Sequence, residues 1–159
     1  MGFTIRKAKK EDMSAVFQLI KDLAIFEKEP DAVDITIDDL ERDGFGDIPQ
    51  FECFVGEIDH NIEGIALFYN RYSTWKGRAL HLEDLIVRED KRGLGLGTAL
   101  LDAVVKYGHQ LGVKRINWEV LDWNEPAITF YEKKGAKVMR DWDVVQLSEE
   151  GIKKYISNL

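Results

Sequence analysis

The chain holds one cysteine, Cys53, so an internal disulfide is excluded. Its setting, Phe51-Glu52-Cys53-Phe54-Val55, has the residue types of a strand and favours packing over reactivity. Three histidines, His60, His81 and His109, lie too far apart for metal-ligand spacing, and no metal site is expected. No apolar run is long enough to span a bilayer, and Met1-Gly2-Phe3-Thr4-Ile5-Arg6-Lys7 lacks the apolar core of a secretory signal. Positive charge is also short: 22 Lys and Arg stand against 29 Asp and Glu, a net charge of −7. That balance argues against a nucleic-acid partner and suits a cationic one. Linkers, repeats and low-complexity tracts are missing as well. What remains is a cytoplasmic chain with no membrane partner, expected to form one domain over residues 1–159. At that length it is large enough to bury about 70% of its extended-chain surface.

Periodicity gives the element order. A short strand is expected over residues 3–6, then a helix over 11–28 with apolar positions at Met13, Val16, Phe17, Ile20, Leu23 and Ala24. Glu29-Pro30-Asp31 stops it. Thr36 and Asp39 have capping-box spacing for a short helix ending before Gly44. Residues 51–58 and 62–72 read as a hairpin across Asp59-His60-Asn61, and 73–78 as a loop before a strand over 79–87. After a helix capped by Gly112, residues 115–121 make a fifth strand, parallel to the preceding one if a βαβ crossover forms. A helix opened by Asn124-Glu125-Pro126 and capped by Gly135 follows, then short strands over 136–139 and 143–147 and a helix from Ser148. The fold class is therefore α/β with a mixed sheet: an antiparallel meander followed by a central parallel βαβ unit, not a doubly wound sheet.

The richest stretch is Leu85-Ile86-Val87-Arg88-Glu89-Asp90-Lys91-Arg92-Gly93-Leu94-Gly95-Leu96-Gly97-Thr98. A buried strand runs through a charged turn and glycines into a helix. Helix starts leave N–H groups unpaired at the positive end of the dipole. Gly93, Gly95 and Gly97 clear side chains from that place, and Arg92 can add charge-assisted bonds to a phosphate. The dinucleotide spacing fails because Thr98 stands where a third glycine belongs, and no Gly-Lys-Ser/Thr triplet is present. A pyrophosphate seat of another kind is the expectation; a ligand-free strand-to-helix connection is the alternative.

Arg92-Gly93-Leu94-Gly95-Leu96-Gly97, with Asn124-Glu125-Pro126-Ala127-Ile128-Thr129-Phe130-Tyr131-Glu132-Lys133-Lys134-Gly135-Ala136, resembles the acetyl-CoA motifs of the GNAT N-acetyltransferases. Leu19-Ile20-Lys21-Asp22-Leu23-Ala24, Asp43-Gly44-Phe45-Gly46, Leu82-Glu83-Asp84 and Asp122-Trp123-Asn124 extend the resemblance to the branch holding spermidine/spermine N1-acetyltransferases and thialysine Nε-acetyltransferases. It implies a GNAT-type fold and acetyl-CoA as cosubstrate, without a metal. Backbone groups of Leu85, Ile86 and Val87 would hold the pantetheine arm, and Arg92, Gly93, Leu94, Gly95, Leu96, Gly97 and Thr98 the pyrophosphate. Asn124, Glu125, Pro126 and Ala127 would also meet the cofactor. From the residues alone, Leu85–Val87 is equally a core strand, and Asn124 a helix cap.

Acetyl transfer expels a thiolate, and a protonated tyrosine can supply its proton. The resemblance gives that role to Tyr131, which otherwise reads as an aromatic on an apolar helix face. The acceptor amine, with a lysine-like pKa of about 10.4, must lose a proton before attack, a cost of about 4–5 kcal/mol at pH 7. Glu83 is the expected base, acting through water, with Asp84 holding or tuning the amine. Adjacent strand residues point to opposite faces, so the two carboxylates are not expected to meet one nitrogen alike. Phe26, Glu27, Trp75, Asn117, Trp118 and Glu119 complete the acceptor side by resemblance. Polyamine members carry Asp-Pro-Trp where this chain has Ser73-Thr74-Trp75-Lys76-Gly77-Arg78, so a thialysine-like amino acid is the preferred acceptor and polyamines the second. Lys76 or Arg78 would then meet the substrate carboxylate, or stand as surface charges. A protein lysine or N-terminal acetyltransferase and a non-enzymatic acyl-CoA sensor complete the alternatives. Direct transfer in a ternary complex is expected, and by resemblance a homodimer.

Overall fold

The computed structural model describes residues 2–159, which form two compact units, one running to Glu119 and the other Val120–Leu159. In the first, β1 (Thr4–Lys7), β2 (Glu52–Ile58), β3 (Asn61–Ser73), β4 (Gly77–Val87) and β5 (Ile116–Asn117) lie side by side in chain order. The first four pair antiparallel, and β4 and β5 pair parallel. The parallel pair is joined by α3 (Leu96–Leu111), which is the expected βαβ crossover. The meander turns at Asp59 and His60, both with positive φ, as a tight hairpin requires.

Helices cover the sheet on both faces. Met13, Val16 and Leu19 of α1 (Met13–Phe26), with Leu40 of α2 (Ile37–Phe45), pack on Cys53, Val55, Ile65, Leu67 and Ile86. On the other face, Leu96 and Leu100 of α3 lie over Gly56 and Gly64, where added Cβ atoms would stand 2.5 Å and 3.0 Å from the leucine methyls. Further along α3, Tyr107 sets its ring edge against Phe54 and Phe68. Arg6 of β1 ties the start of α1 to the sheet, bonding Asp12 at 2.7 Å and Glu57 at 2.6 Å. That guanidinium holds the Asp12 carboxyl below its ordinary range.

Several boundaries differ from the sequence reading. Lys10–Asp12 forms a 3-10 turn, so α1 starts at Met13 and has no acids in its first turn. The Thr36–Asp39 capping box is present, but α2 runs through Gly44 and stops at Gly46. The β3–β4 connection shortens to residues 74–76, and Arg78 lies in β4. The fifth strand keeps two of the seven expected residues.

In the second unit, Asn124 caps α4 (Glu125–Lys133) and Ser148 caps α5 (Glu149–Ser157). Gly135 takes a positive φ of 89° just past α4. The strands expected over 136–139 and 143–147 do not form among the described residues. Their composition suits strands, but a strand exists only with a partner for its backbone, and Val145 is 92% exposed.

The contact between α3 and the sheet can be tested at Gly64. A Cβ there meets the Ile86 carbonyl at 3.0 Å and Leu100 Cδ1 at 3.0 Å. Gly64→Ala is expected to destabilise the protein by about 1–3 kcal/mol. Urea unfolding should show a lower midpoint at unchanged slope, and an unchanged midpoint would refute this packing.

Candidate active site

The site is built around an irregularity in β4. Leu67 pairs with Asp84 and the next β3 residue, Phe68, pairs with Leu82, which leaves Glu83 as an extra, bulged residue. The bulge resets the alternation. Leu67 lies in the core beneath α1, so its partner Asp84 faces that side. Glu83 also turns there, with Oε2 3.5 Å from the Tyr69 hydroxyl and 3.5 Å from His81 Nε2. The expectation of opposite faces is therefore corrected: one added residue brings both carboxyl groups to the same face.

Their environments differ. The Glu83 side chain is half exposed. Asp84 is largely buried, and burial followed by the negative charges of Glu83 and Glu27 pushes its carboxyl up to about 7. Burial also raises Glu27, just past the end of α1. A cationic group placed among these three carboxyls would relieve all of these penalties.

The bulge marks the limit of pairing with β5, whose contacts with β4 are Leu80–Ile116 and His81–Asn117. From Leu82 onward the β5-side edge of β4 has no strand partner among the described residues. Leu85, Ile86 and Val87 pair with Ala66, Ile65 and Gly64 of β3 through their other edge. Their free backbone groups are suited to an extended, amide-bearing ligand.

Past β4, Gly93 and Gly95 have φ of 83° and 88°, conformations that other residues enter only with strain. Gly95 is the N-cap of α3, so the helix begins at Leu96, inside the glycine run. Ala99 makes a helical bond to the Gly95 carbonyl, and the Leu96, Gly97 and Thr98 N–H groups precede it without intrahelical acceptors. The Leu96 side chain is buried, leaving its backbone for a ligand, while Leu94 is exposed. Gly97 is informative because the protein does not need a glycine there. A Cβ would meet Val87 Cγ2 at an ordinary 3.6 Å. The bare backbone instead fits close approach of an anion. Arg92 donates to the Val87 carbonyl at 3.2 Å, and its guanidinium lies 5.4 Å from the centre of the Phe26 ring. The end of α1 thus meets the glycine turn.

Other expected residues fall elsewhere. Trp75 is 78% exposed at the β3–β4 turn. It lies beyond Gly77, which is about 20 Å along the strand from Glu83 at roughly 3.3 Å per residue. Asn117 faces His81 rather than open space, and Trp118 and Glu119 follow β5. In the second unit, the Asn124 side chain accepts from the Ala127 N–H at 3.4 Å, Glu125 and Pro126 form the first turn of α4, and Tyr131 rests its ring 5.4 Å from Phe130. Cys53 is buried and its thiol is pushed up to about 12, so it stays protonated and packs as expected.

Sequence reasoning missed Tyr69 and His81, which flank Glu83, and Arg71, which lies 3.4 Å from the other nitrogen of His81. Strand alternation carried the signal for His81, two residues before Glu83. The bulge that brings Asp84 to the same face had no such signal.

The acetyltransferase (GNAT) family model matches residues 13–136. The chain belongs to the GNAT acetyltransferase family. Among curated relatives, a thialysine N-epsilon-acetyltransferase of Bos taurus is 34% identical, covering 94% of this chain and 95% of its own. A spermidine/spermine N(1)-acetyltransferase-like protein 1 of Homo sapiens is 35% identical over 84% of this chain and 20% of its own length. An integron cassette protein structure from V. cholerae superimposes with a TM-score of 0.80 at 20% identity, covering 98% of both chains. The GNAT fold implies acetyl-CoA as cosubstrate, and the glycine turn, the helix start and the open β4 edge fit its pyrophosphate and amide-bearing arm.

The raised Asp84 carboxyl makes a pH prediction. An unfolded aspartate titrates near ~3.9. Between that value and about 7 the native state holds the extra proton, so this group's contribution to stability falls as pH rises through the window and levels off above it. Asp84→Asn cannot ionise. It is expected to melt about 3–6 °C above wild type at pH 8 and to lose that margin at pH 4. A difference in Tm that does not vary with pH would show that Asp84 is not the buried acid described.

Proposed function

We propose that this GNAT enzyme transfers the acetyl group of acetyl-CoA to the side-chain amine of a small, thialysine-like amino acid, directly within a ternary complex. The observation that carries the acceptor's charge is the group formed by Glu27, Glu83 and Asp84, where burial and then the charges of Glu83 and Glu27 raise the cost of ionising Asp84. Similarity to thialysine acetyltransferases along nearly the whole chain supports the choice of amine. The same three acids suit one end of a polyamine, which is the second reading.

In this reading Glu83, half exposed and reachable by water, takes the proton of the bound ammonium, while Asp84 and Glu27 hold the cation. The neutral nitrogen then attacks the thioester carbonyl. Tyr131 donates a proton to the departing thiolate, a role that rests on its place in the family motif, and the second proton lost by the acylated nitrogen restores the tyrosine. Phe26 and Trp118 line the acceptor side. Trp75, with Lys76 or Arg78 as carboxylate partner, would meet only the far end of an acceptor or one bound by a second copy. The buried, protonated Cys53 leaves no thiolate to carry an acyl group, which supports direct transfer. Both units serve as one catalytic domain in a cytoplasmic homodimer. The exposed Trp142, Val144, Val145 and Leu147 supply apolar surface for such pairing.

The test is CoA release from acetyl-CoA with thialysine, lysine, spermidine, spermine and a lysine peptide. The highest kcat/KM is expected with thialysine; a preference for spermidine would select the second reading, and binding of acetyl-CoA without turnover of any amine would refute both. In the same assay Tyr131→Phe should lower kcat about 100-fold with little change in acetyl-CoA affinity. Wild-type turnover in that variant would remove Tyr131 from the acid role.

A further inference from the structure

Binding of the two substrates does not account for one polar cluster in the sheet. His81 is 6% exposed on β4, with Tyr69 of β3 and Asn117 of β5 as its register partners. Both ring nitrogens are engaged. Nδ1 lies 3.2 Å from the Asn117 amide and 3.4 Å from Arg71 Nη1. Nε2 lies 3.5 Å from Glu83 Oε2, and the Tyr69 hydroxyl donates to that same oxygen. Packing alone needs none of these partners. Filling the space under the sheet would be done better by an apolar side chain.

Asn117 decides which nitrogen carries the proton. With its oxygen toward His81, the amide nitrogen donates to the Leu80 carbonyl at 3.3 Å, and the oxygen accepts from His81 Nδ1 at 3.2 Å and from Arg71 Nη1. The reverse orientation sets the oxygen among acceptors and the nitrogen among donors. Arg71 can only donate, so its hydrogen goes to the Asn117 oxygen too. The imidazole then holds its proton on Nδ1 and turns a free Nε2 lone pair toward Glu83. The 3.5 Å gap is long, but the half-exposed Glu83 side chain can close it when the amine binds.

We propose that His81, held as the Nδ1–H tautomer by Asn117, is a positioning residue that takes up, through Glu83, the proton removed from the acceptor amine. This rests on the reading of Glu83 as the base. The ammonium N–H bond breaks as a Glu83 O–H bond forms. That O–H bond then breaks as Nε2–H forms, leaving an imidazolium beside a restored carboxylate and a free lone pair on the amine. After transfer the proton returns through Glu83 to water, which accounts for the one proton released per turnover, and no other reactant is needed. The groups around His81 have opposing effects. Arg71 of β3 brings a positive charge to one side of the ring and Glu83 a negative charge to the other. Asn117 of β5 and Tyr69 of β3 are neutral, and Glu119 past β5 acts on Tyr69. Asp84, and Glu27 whose charge acts on it, add negative charge on the same face.

Two measurements test this. Nitrogen NMR of the wild-type protein at its pH of maximal turnover should show His81 protonated on Nδ1 and bare on Nε2; an Nε2–H tautomer or an imidazolium there overturns the proposal. In steady-state kinetics His81→Gln should lower kcat about tenfold, leave KM for acetyl-CoA unchanged and flatten the acid limb of the kcat–pH profile. A drop by one factor at every pH, or none, means that His81 only props the strand and overturns it. Should His81→Gln fail to fold, Asn117→Asp replaces it as the test. Its added charge behind Nδ1 should move the acid limb up by about one unit, and an unmoved limb overturns the proposal. Glu83→Gln separates the two layers. Full activity in that variant sinks the base and the relay together. Lost activity there with an unaltered His81→Gln profile sinks the relay alone.

Discussion

Placement of the acidic groups depends on one extra residue. Two residues of β4, Glu83 and Asp84, occupy the space between partners that are adjacent in β3. Without the bulge, Asp84 would point toward α3 among leucines and phenylalanines, at a cost no local partner offsets. With it, Asp84 and Glu83 share the face over α1, close enough for the Glu83 charge to disfavour that of Asp84. A bulge also bends its strand, and the pairing of β4 with β5 ends at His81–Asn117, immediately before it. The same local event therefore gathers the acids and frees the backbone edge of Leu85, Ile86 and Val87.

The glycines divide by what requires them. Gly56 and Gly64 let α3 lie close to the sheet, and the chain's own packing accounts for them. Gly93 and Gly95 are required by backbone conformation, which turns the chain from β4 into α3. Gly97 is required by neither, since a methyl there would sit in ordinary contact. The position of α3 and the character of its N-terminus are thus linked. Leu96 anchors the helix over Gly56 and Gly64, and that anchor fixes the N–H groups of Leu96, Gly97 and Thr98 where a phosphate can reach them.

Local signals were legible in the sequence and relational ones were not. The Thr36–Asp39 box, the Gly112 and Gly135 stops and the Asn124 and Ser148 caps all depend on residues within one turn, and the structure has each of them. Apolar spacing gave α1 and α3 and, with them, the βαβ crossover. The failures involve partners. Residues 136–147 have strand composition, but composition cannot supply a neighbouring backbone. The fifth strand stops after Asn117, whose partner His81 lies just before the β4 bulge, and that bulge is a register shift no side chain announces. The glycine turn and the acids at Glu27, Glu83 and Asp84 were named from the sequence. The grouping of Tyr69 and His81 at Glu83, with Arg71 behind the imidazole, was not, because it depends on cross-strand register.

Charge is sorted along β4 in the order the chemistry needs. At the bulge, three carboxyls favour a cation and so raise the affinity of the protonated form of an amine. At the end of the strand, Arg92 and the start of α3 favour an anion. Leu85, Ile86 and Val87 separate the two regions by about 10 Å of backbone. In the proposed reaction the arrangement would bind the acceptor in its unreactive, protonated form, so recognition and reactivity conflict at the same nitrogen. The conflict is resolved only if one carboxyl gives up its role in holding the cation and passes the proton on. Asp84 is the less exposed of the two, whereas Glu83 is half exposed and lies 3.5 Å from an imidazole nitrogen. Tight binding of the cation and its deprotonation can coexist because the bulge presents two acids to one face and leaves only one of them open.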